Sequence, residues 1–84
     1  MARSANPPKI AKDFGARVRA RRTELGLSQM DVAEISGLHF TYISDTERGL
    51  RNISLMNIAR LAAALELDPA DLVQGLKAPR RKAR

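Results

Sequence analysis

The fold is decided by residues 37–49, Gly-Leu-His-Phe-Thr-Tyr-Ile-Ser-Asp-Thr-Glu-Arg-Gly, which predict one short helix between two glycines. Its apolar groups share one face and comprise Leu38, Ile43 and the methyl group of Thr46. Spacings of three and four place four other side chains together on the opposite face: Phe40, Thr41, Ser44 and Asp45. Short polar side chains suit a surface that must lie close to a partner, and the major groove of DNA admits such a helix.

Residues 28–36, immediately upstream, predict a second short helix. Ser28 is its N-cap, and Asp31 follows three residues later as an acidic version of the capping box. Its predicted buried side consists of Val32, Ala33 and Ile35. Gly37 ends this helix, and two short helices joined by a tight turn form a helix-turn-helix.

The rest of the chain predicts three more helices around this pair. A first helix runs from Lys9 to a terminating Gly26, with an apolar stripe at Ile10, Phe14, Val18 and Leu25. The recognition stretch itself predicts a third helix from about His39 to Arg48.

The fourth and fifth helices follow a short loop. Ser54 caps the fourth, whose predicted apolar positions are Leu55, Ile58, Leu61, Ala62 and Leu65. Asp68 and Pro69 begin the fifth, which contains Leu72, Val73 and Leu76. No stretch alternates polar and apolar residues as a strand does. The sequence therefore predicts an all-α protein, a compact five-helix bundle.

Composition limits the chain to one small domain. Of its 84 residues 44% are apolar and none is cysteine, which excludes a disulfide framework and a thiolate metal site. No apolar run approaches the ~18–20 residues that span a bilayer, and the N-terminus lacks the apolar segment of a secretory signal. We predict a disordered arm over 1–8, a helix-turn-helix domain over 9–76 and a basic disordered tail over 77–84.

The net charge of +6 is concentrated at the two ends. Residues 1–27 hold seven Lys/Arg against two acids (+5), and residues 77–84 hold five Lys/Arg and no acid (+5). Residues 28–76 hold three Arg against seven acids (−4). Basic ends favour a polyanionic partner, because each neutralised phosphate releases counterions. The alternative for the C-terminal run is a solubilising tail.

Five segments together carry a resemblance to a known family. They are Leu-Gly-Leu-Ser-Gln (25–29), Val-Ala (32–33), Ser-Gly-Leu (36–38), Tyr-Ile-Ser-Asp-Thr-Glu-Arg-Gly (42–49) and Leu-Asp-Pro-Ala-Asp-Leu (67–72). From Leu25 to Val73 the chain resembles the XRE, or Cro/C1-type, helix-turn-helix family of phage repressors and their bacterial relatives. Within that family, residues 41–44 and 48–55 are most similar to controller proteins of restriction–modification systems. The resemblance implies the lambda-repressor-like fold and a sequence-specific transcriptional regulator that binds double-stranded DNA.

The resemblance also implies phosphate contacts around the two central helices. Helix N-termini offer N–H groups to phosphate oxygens, and such contacts set affinity and register rather than sequence. The implied residues are Ser28, Gln29, His39, Arg48, Asn52 and Ser54. For Ser28 the alternative is a helix cap, and the two roles are compatible. For His39 a helix cap is likewise the alternative to a place beside a phosphate.

For the third helix the resemblance implies contacts to base edges or nearby backbone from Thr41, Tyr42 and Ser44. For the loop after it, the resemblance implies a phosphate or base contact from Arg51. On the same face of the helix, Phe40 and Asp45 are also candidates for base contact. Tyr42 equally fits a half-buried position between the second and third helices, and Asp45 equally fits a solvent-facing charge held away from DNA. Phe40 departs from the controller pattern, which usually has Arg there. Because Phe contacts a thymine methyl but cannot pair with guanine, a different operator is predicted.

Arg22 and Glu47 stand where the family often has an ion pair between its first and third helices. If the pair is partly buried, losing one partner costs about 3–5 kcal/mol. The alternative is two exposed charges that never meet and contribute roughly 0–1 kcal/mol.

Neither a metal site nor a catalytic site is indicated. His39 is the only histidine, and no set of ligands has metal-binding spacing. No nucleophile–base pair and no Gly-rich phosphate loop is present. We expect no enzyme activity, no cofactor, no small-molecule ligand and no membrane partner, in a protein of the bacterial cytoplasm and nucleoid.

The last helix predicts a homodimer. Leu72, Val73 and Leu76, with neighbours on the fourth helix, would form its two-fold interface, and the third helices would then meet successive major grooves of a palindromic operator about 34 Å apart. The alternative is that these residues only close the monomer core.

Two other function classes use the same fold. One is an antitoxin or bridging factor that binds proteins, although the spare segments at either end are short and polar. The other is the truncated DNA-binding head of a larger regulator.

Overall fold

The computed structural model describes residues 8–80, and within that range the chain forms five α-helices and no strand. They are α1 (Lys9–Glu24), α2 (Gln29–Ser36), α3 (Phe40–Glu47), α4 (Leu55–Ala64) and α5 (Pro69–Val73). The all-α prediction is confirmed. Residues 1–7 of the predicted arm and 81–84 of the predicted tail lie outside the described range. None of the described helices is long and apolar enough to cross a membrane.

The two ends of α2 are closed by the groups that the sequence predicts. The Ser28 hydroxyl accepts from the Asp31 N–H at 3.0 Å, and the Asp31 carboxylate accepts from the Ser28 N–H at 2.9 Å. At the other end Gly37 takes the left-handed conformation with φ 76°. The bond from the Ser28 N–H, and then the bond from its hydroxyl, lower the pKa of Asp31 below its ordinary value.

The capping box leads us to predict how the stability of the fold depends on pH. Because the pKa of Asp31 is lowered by folding, its carboxylate stabilises the fold above the unfolded-state pKa of about 3.9. That contribution is lost as the pH falls through the lower, folded-state value. An NMR titration of the Asp31 carboxyl should therefore have a lower midpoint in the folded chain than in the urea-unfolded chain. Ser28→Ala should move the midpoint partly back, and equal midpoints in the folded and unfolded wild type would contradict the assignment.

Side chains from all five helices meet in one apolar core. Its members are at most 9% exposed and comprise Phe14, Val18, Val32, Ala33, Ile43, Leu61, Ala62, Ala64, Leu65 and Leu72. A fully buried Leu or Ile stabilises the fold by about 1.5–3 kcal/mol. Because Ile43 is completely buried, the inner face of α3 is fixed and its outer face is fixed with it.

Ile35 is the first correction to the predicted core, since its side chain is 58% exposed. The inward stripe of α2 follows the helical spacing i, i+3, i+4, i+7 and consists of Gln29, Val32, Ala33 and Ser36. Ile35 lies beside that stripe. Because Gln29 and Ser36 are polar, the pattern of apolar residues alone did not identify this stripe.

Leu55 is the second correction, because it is 82% exposed although it belongs to the apolar pattern of α4. It is the first residue of the helix. Helical side chains point toward the N-terminus, so Leu55 projects past the start of α4 and beyond the core.

Two glycines allow α1 to cross the C-terminal end of α3 at close range. A Cβ on Gly15 would overlap the carbonyl oxygen of Thr46 and lie 2.8 Å from that of Glu47. A Cβ on Gly49, where φ is +77°, would lie 2.9 Å from the Cα of Lys12. The backbones of α1 and of residues 46–49 are therefore in direct contact.

Two arginines of α1 fasten the last two helices. Arg21 Nε donates to the carbonyl of Leu65 at 2.9 Å, at the end of α4, and Arg17 Nη1 donates to the carbonyl of Leu72 at 3.3 Å, near the end of α5. A cation at a helix C-terminus also complements the helix dipole. Thus α1 supports α3 through one face and holds α4 and α5 through another.

Candidate nucleic-acid interface

The turn between α2 and α3 is short and closed by hydrogen bonds. After Gly37, the Ser36 hydroxyl accepts from the Leu38 N–H at 3.2 Å. His39 is the N-cap of α3, and its Nδ1 accepts from the Thr41 N–H at 3.1 Å. The structure thus uses His39 as a helix cap, and this interaction fixes where α3 begins.

The outer face of α3 is the predicted polar surface. Phe40 is 42% exposed, Thr41 is exposed, and Ser44 is half-buried. On the opposite side Ile43 and Thr46 are buried. The structure therefore brings Phe40, Thr41 and Ser44 together on one accessible surface.

Tyr42 connects α3 to α4. Its ring is half-buried, and its hydroxyl accepts a hydrogen bond from Asn57 Nδ2 at 3.0 Å. One alternative from the sequence was a half-buried position between the second and third helices. The structure shows a half-buried ring whose hydroxyl is hydrogen-bonded by a residue of α4. Asn57 was not identified from the sequence, since nothing in its local pattern indicates a contact 15 residues away.

Arg51 and Asp45 form a charged group beside Tyr42. Arg51 Nη2 lies 3.3 Å from Asp45 Oδ2, and its guanidinium carbon lies 4.8 Å from the centroid of the Tyr42 ring. Arg48 Nη2 lies 3.9 Å from the other carboxylate oxygen of Asp45. We refer to Tyr42, Asp45, Arg51 and Asn57 as the Arg51 cluster. Asp45 is therefore an ion-paired carboxylate, an arrangement that neither sequence alternative included.

A buried ion pair lies beneath this surface. Arg22 Nε and Nη2 donate to the two carboxylate oxygens of Glu47, at 2.6 and 2.9 Å. The side chains are only 12% and 3% exposed, so the predicted pair between the first and third helices is confirmed. The hydrogen bond to Glu47 is the main cause that raises the pKa of Arg22.

Gln29 takes part in the same network. Its amide nitrogen donates to Glu47 Oε1 at 3.0 Å, so one of its two amide hydrogens is bound to α3. This hydrogen bond connects the start of α2 to α3. The second amide hydrogen of Gln29 and its backbone N–H are still available for the predicted phosphate contact.

The other predicted phosphate-binding residues lie at helix ends and in the loop between α3 and α4. The Ser54 hydroxyl caps α4 by accepting from the Asn57 N–H at 3.2 Å, as the Ser28 hydroxyl caps α2. Asn52 is exposed, and the Arg48 side chain is 64% exposed. Arg48 and Asn52 are therefore accessible, and their phosphate contacts stay a prediction.

The predicted dimer residues separate into two groups. Leu72 is 1% exposed and belongs to the monomer core, so it leaves the predicted interface. Leu76 is half-buried against that core, and Val73 is 39% exposed. Of these three residues, only Val73 and part of Leu76 therefore present apolar surface to a partner.

Metal ligands do not cluster in the part of the chain that the structure describes, where no three His, Cys, Asp or Glu side chains could hold an ion. The chemistry available at this surface is hydrogen bonding, charge and apolar contact.

Comparison with known proteins identifies the family to which this chain is similar. A family model described as helix-turn-helix matches residues 18–72. Control protein C.BamHI of Bacillus amyloliquefaciens is 48% identical over 61 residues, covering 71% of this chain and 75% of that protein.

Solved structures extend the similarity to the fold. The restriction–modification controller protein C.AhdI of Aeromonas hydrophila superposes with a TM-score of 0.72 at 48% identity, covering 74% of this chain and 94% of that one. The P22 c2 repressor, solved in complex with a synthetic operator, superposes with a TM-score of 0.68 at 32% identity, covering 74% and 94%.

Proposed function

The chain belongs to the helix-turn-helix family of transcriptional regulators, and we propose that it binds palindromic operator DNA as a homodimer, with α3 in the major groove. One observation carries the proposal. The outer face of α3 presents Phe40, Thr41 and Ser44 to solvent while its inner face is locked into the core. A rigid helix with short accessible side chains, here Thr41 and Ser44, can approach base edges closely.

Phosphate contacts surround that helix in the proposed complex. Ser28, Gln29, His39, Arg48, Asn52 and Ser54 would bind the backbone on either side of the groove. Phosphate contacts of this kind orient a protein on the duplex and leave sequence discrimination to the base-contacting side chains. Thr41, Tyr42, Ser44 and Arg51, with Phe40 against a thymine methyl, would supply that discrimination.

Basic residues outside α3 would attract the phosphates of the DNA. The backbone of Lys12 contacts Gly49, so the basic start of α1 adjoins the loop after α3. Residues Pro8, Lys9 and Ile10 line a shallow groove together with Lys77, Ala78 and Pro79. Lys9 and Lys77 therefore lie at one groove, and we propose that the basic residues of the two ends contact the phosphates flanking the operator.

Lys12 offers a direct test of this attraction. Lys12→Gln should lower the magnitude of the slope of log K against log salt by about one, because one fewer phosphate is neutralised. The ratio of operator to random-DNA affinity should stay unchanged. Arg60→Gln, the same charge change at an exposed position on α4, is the control and should leave the slope unaltered. Equal slopes for wild type and Lys12→Gln would remove Lys12 from the interface.

The homodimer is proposed from unpartnered apolar surface on α4 and α5. Leu55 and Met56 are 82% and 62% exposed, and Val73 is 39% exposed. A domain of this size buries a smaller fraction of its surface than a larger one, so dimerisation would add stability. A two-fold arrangement would place the two copies of α3 about 34 Å apart, on successive major grooves.

The relatives favour a DNA-binding regulator over the antitoxin or bridging factor that the sequence left open. One is named a control protein, one a restriction–modification controller, and one was solved on a synthetic operator. We propose that this chain is likewise a controller protein, acting in the bacterial cytoplasm on the nucleoid. Its activity would be binding alone, without catalysis, a cofactor or a small-molecule ligand.

Binding measured at several salt concentrations tests the proposal. Affinity for a selected operator should fall steeply as salt rises, because released counterions drive association. It should also exceed the affinity for random DNA at every salt concentration. A flat salt dependence, or equal affinity for operator and random DNA, would overturn the proposed function.

A further inference from the structure

Arg51 is restrained although it lies in the loop after α3 and belongs to no helix. Asp45 is the one hydrogen-bond partner of its guanidinium within residues 8–80, at 3.3 Å. The ring of Tyr42 faces the guanidinium at 4.8 Å, a cation–π distance. Asn57, on α4, holds the Tyr42 hydroxyl at 3.0 Å. The loop arginine is thus connected to two helices.

This restraint leaves part of the guanidinium accessible. The Arg51 side chain is 42% exposed, whereas that of Asp45 is 24% exposed. Asp45 engages Nη2, and the other N–H groups of the guanidinium make no hydrogen bond within residues 8–80. An arginine reads guanine by two parallel N–H donors, and its planar fork makes that interaction strongly dependent on orientation.

We propose that Asp45 is a positioning residue that determines sequence specificity through Arg51. The proposal rests on the DNA-binding function proposed above. Asp45 holds the guanidinium in the orientation that meets a base edge, and it competes with phosphate oxygens for the same donors. An arginine without this carboxylate would bind any nearby phosphate and carry no sequence information.

The charge of Asp45 also acts directly on the duplex. A carboxylate at the interface repels phosphates, and this repulsion lowers the affinity for the operator and for random DNA alike. Discrimination therefore comes from the contact between Asp45 and Arg51: without Asp45 the guanidinium would bind phosphates of any duplex, which raises the affinity for random DNA more than that for the operator.

Asp45→Asn tests the proposal, because it removes the charge and keeps the shape. Dissociation constants are measured at one salt concentration for the selected operator and for a random duplex of equal length. The matched control is Glu66→Gln, which removes one acid at the opposite end of α4 from Asn57. The Arg51→Gln variant and the Asp45→Asn, Arg51→Gln double variant complete a cycle.

Asp45→Asn should reduce the ratio of operator to random-DNA affinity by about fivefold or more, the low end of what one base contact discriminates. The loss should come mainly from tighter binding of random DNA. Glu66→Gln should leave the ratio unchanged. In the Arg51→Gln background, Asp45→Asn should not change the ratio either, since Asp45 acts through Arg51.

The proposal is overturned if Asp45→Asn and Glu66→Gln have the same ratio. It is also overturned if Asp45→Asn changes the ratio equally with and without Arg51. Both results leave the proposed function standing, because the wild type still prefers its operator. A wild type without any preference would instead overturn the proposed function and this inference with it.

Discussion

Gly15→Ala is expected to lower the free energy of unfolding by about 3 kcal/mol, the upper end for overpacking. A methyl group there would overlap the Thr46 carbonyl oxygen and lie 2.8 Å from that of Glu47. Both obstacles are backbone atoms, so no side-chain rotation relieves the contact and α1 must move away from α3. For a domain of this size the melting temperature should fall by about 12–24 °C in a circular dichroism melt.

Gly37→Ala is the matched control for this substitution. Unlike the helical Gly15, Gly37 has a positive φ of 76°, and a Cβ there meets nothing within 4 Å. Only the backbone strain of about 1–2 kcal/mol applies. A Gly15→Ala variant no more destabilised than Gly37→Ala would contradict the close backbone contact between α1 and α3.

Arg22→Met is expected to cost about 3–5 kcal/mol, because it leaves the Glu47 carboxylate buried without its partner. The Glu47 side chain is 3% exposed and receives two hydrogen bonds from Arg22. Gln29 is the one donor to Glu47 that remains among the described residues. Urea denaturation of the wild type and the variant measures the loss directly.

Two further variants separate the ion pair from the general cost of mutation. Arg22→Met combined with Glu47→Leu should be less destabilised than Arg22→Met alone, since no charge is then left buried. Lys9→Gln breaks an exposed pair, in which Lys9 and Asp13 are 85% and 44% exposed, and should cost roughly 0–1 kcal/mol. A loss in Arg22→Met no larger than that of Lys9→Gln would contradict the buried network.

Features encoded by neighbouring residues were predictable from the sequence. The capping box of Ser28 and Asp31, the left-handed Gly37 and the Asp68–Pro69 start of α5 each depend on residues within one helical turn. Their physics is local, so the type and spacing of residues suffice. The Arg22–Glu47 pair came from the family resemblance, since no local pattern joins residues 25 apart.

Features that depend on packing between helices were not predictable in the same way. A glycine inside a helix, such as Gly15, does not reveal which backbone it approaches. The exposure of Leu55 depends on where α4 begins relative to the core. The Arg51 cluster joins α3, the following loop and α4, and only the folded chain shows that Asp45 and Arg51 meet.

The surface that we propose to recognise DNA is therefore supported by contacts between residues far apart in the sequence. Gly15 sets the distance between α1 and α3, and the Arg22–Glu47–Gln29 network ties α3 to α1 and α2. Variants that loosen these contacts should weaken operator binding even though they touch no base. Specificity in a rigid interface depends on the position of its recognition helix as well as on its side chains.

Selection of bound sites from random duplex DNA by the full chain tests the central claim most directly. We predict enrichment of one palindrome, with two inverted half-sites whose centres lie about 10–10.5 base pairs apart, as a two-fold dimer requires. The half-site should contain thymine opposite Phe40 rather than the guanine that an arginine there would select. Enrichment of no sequence, or of a single half-site without a symmetric partner, would contradict the account.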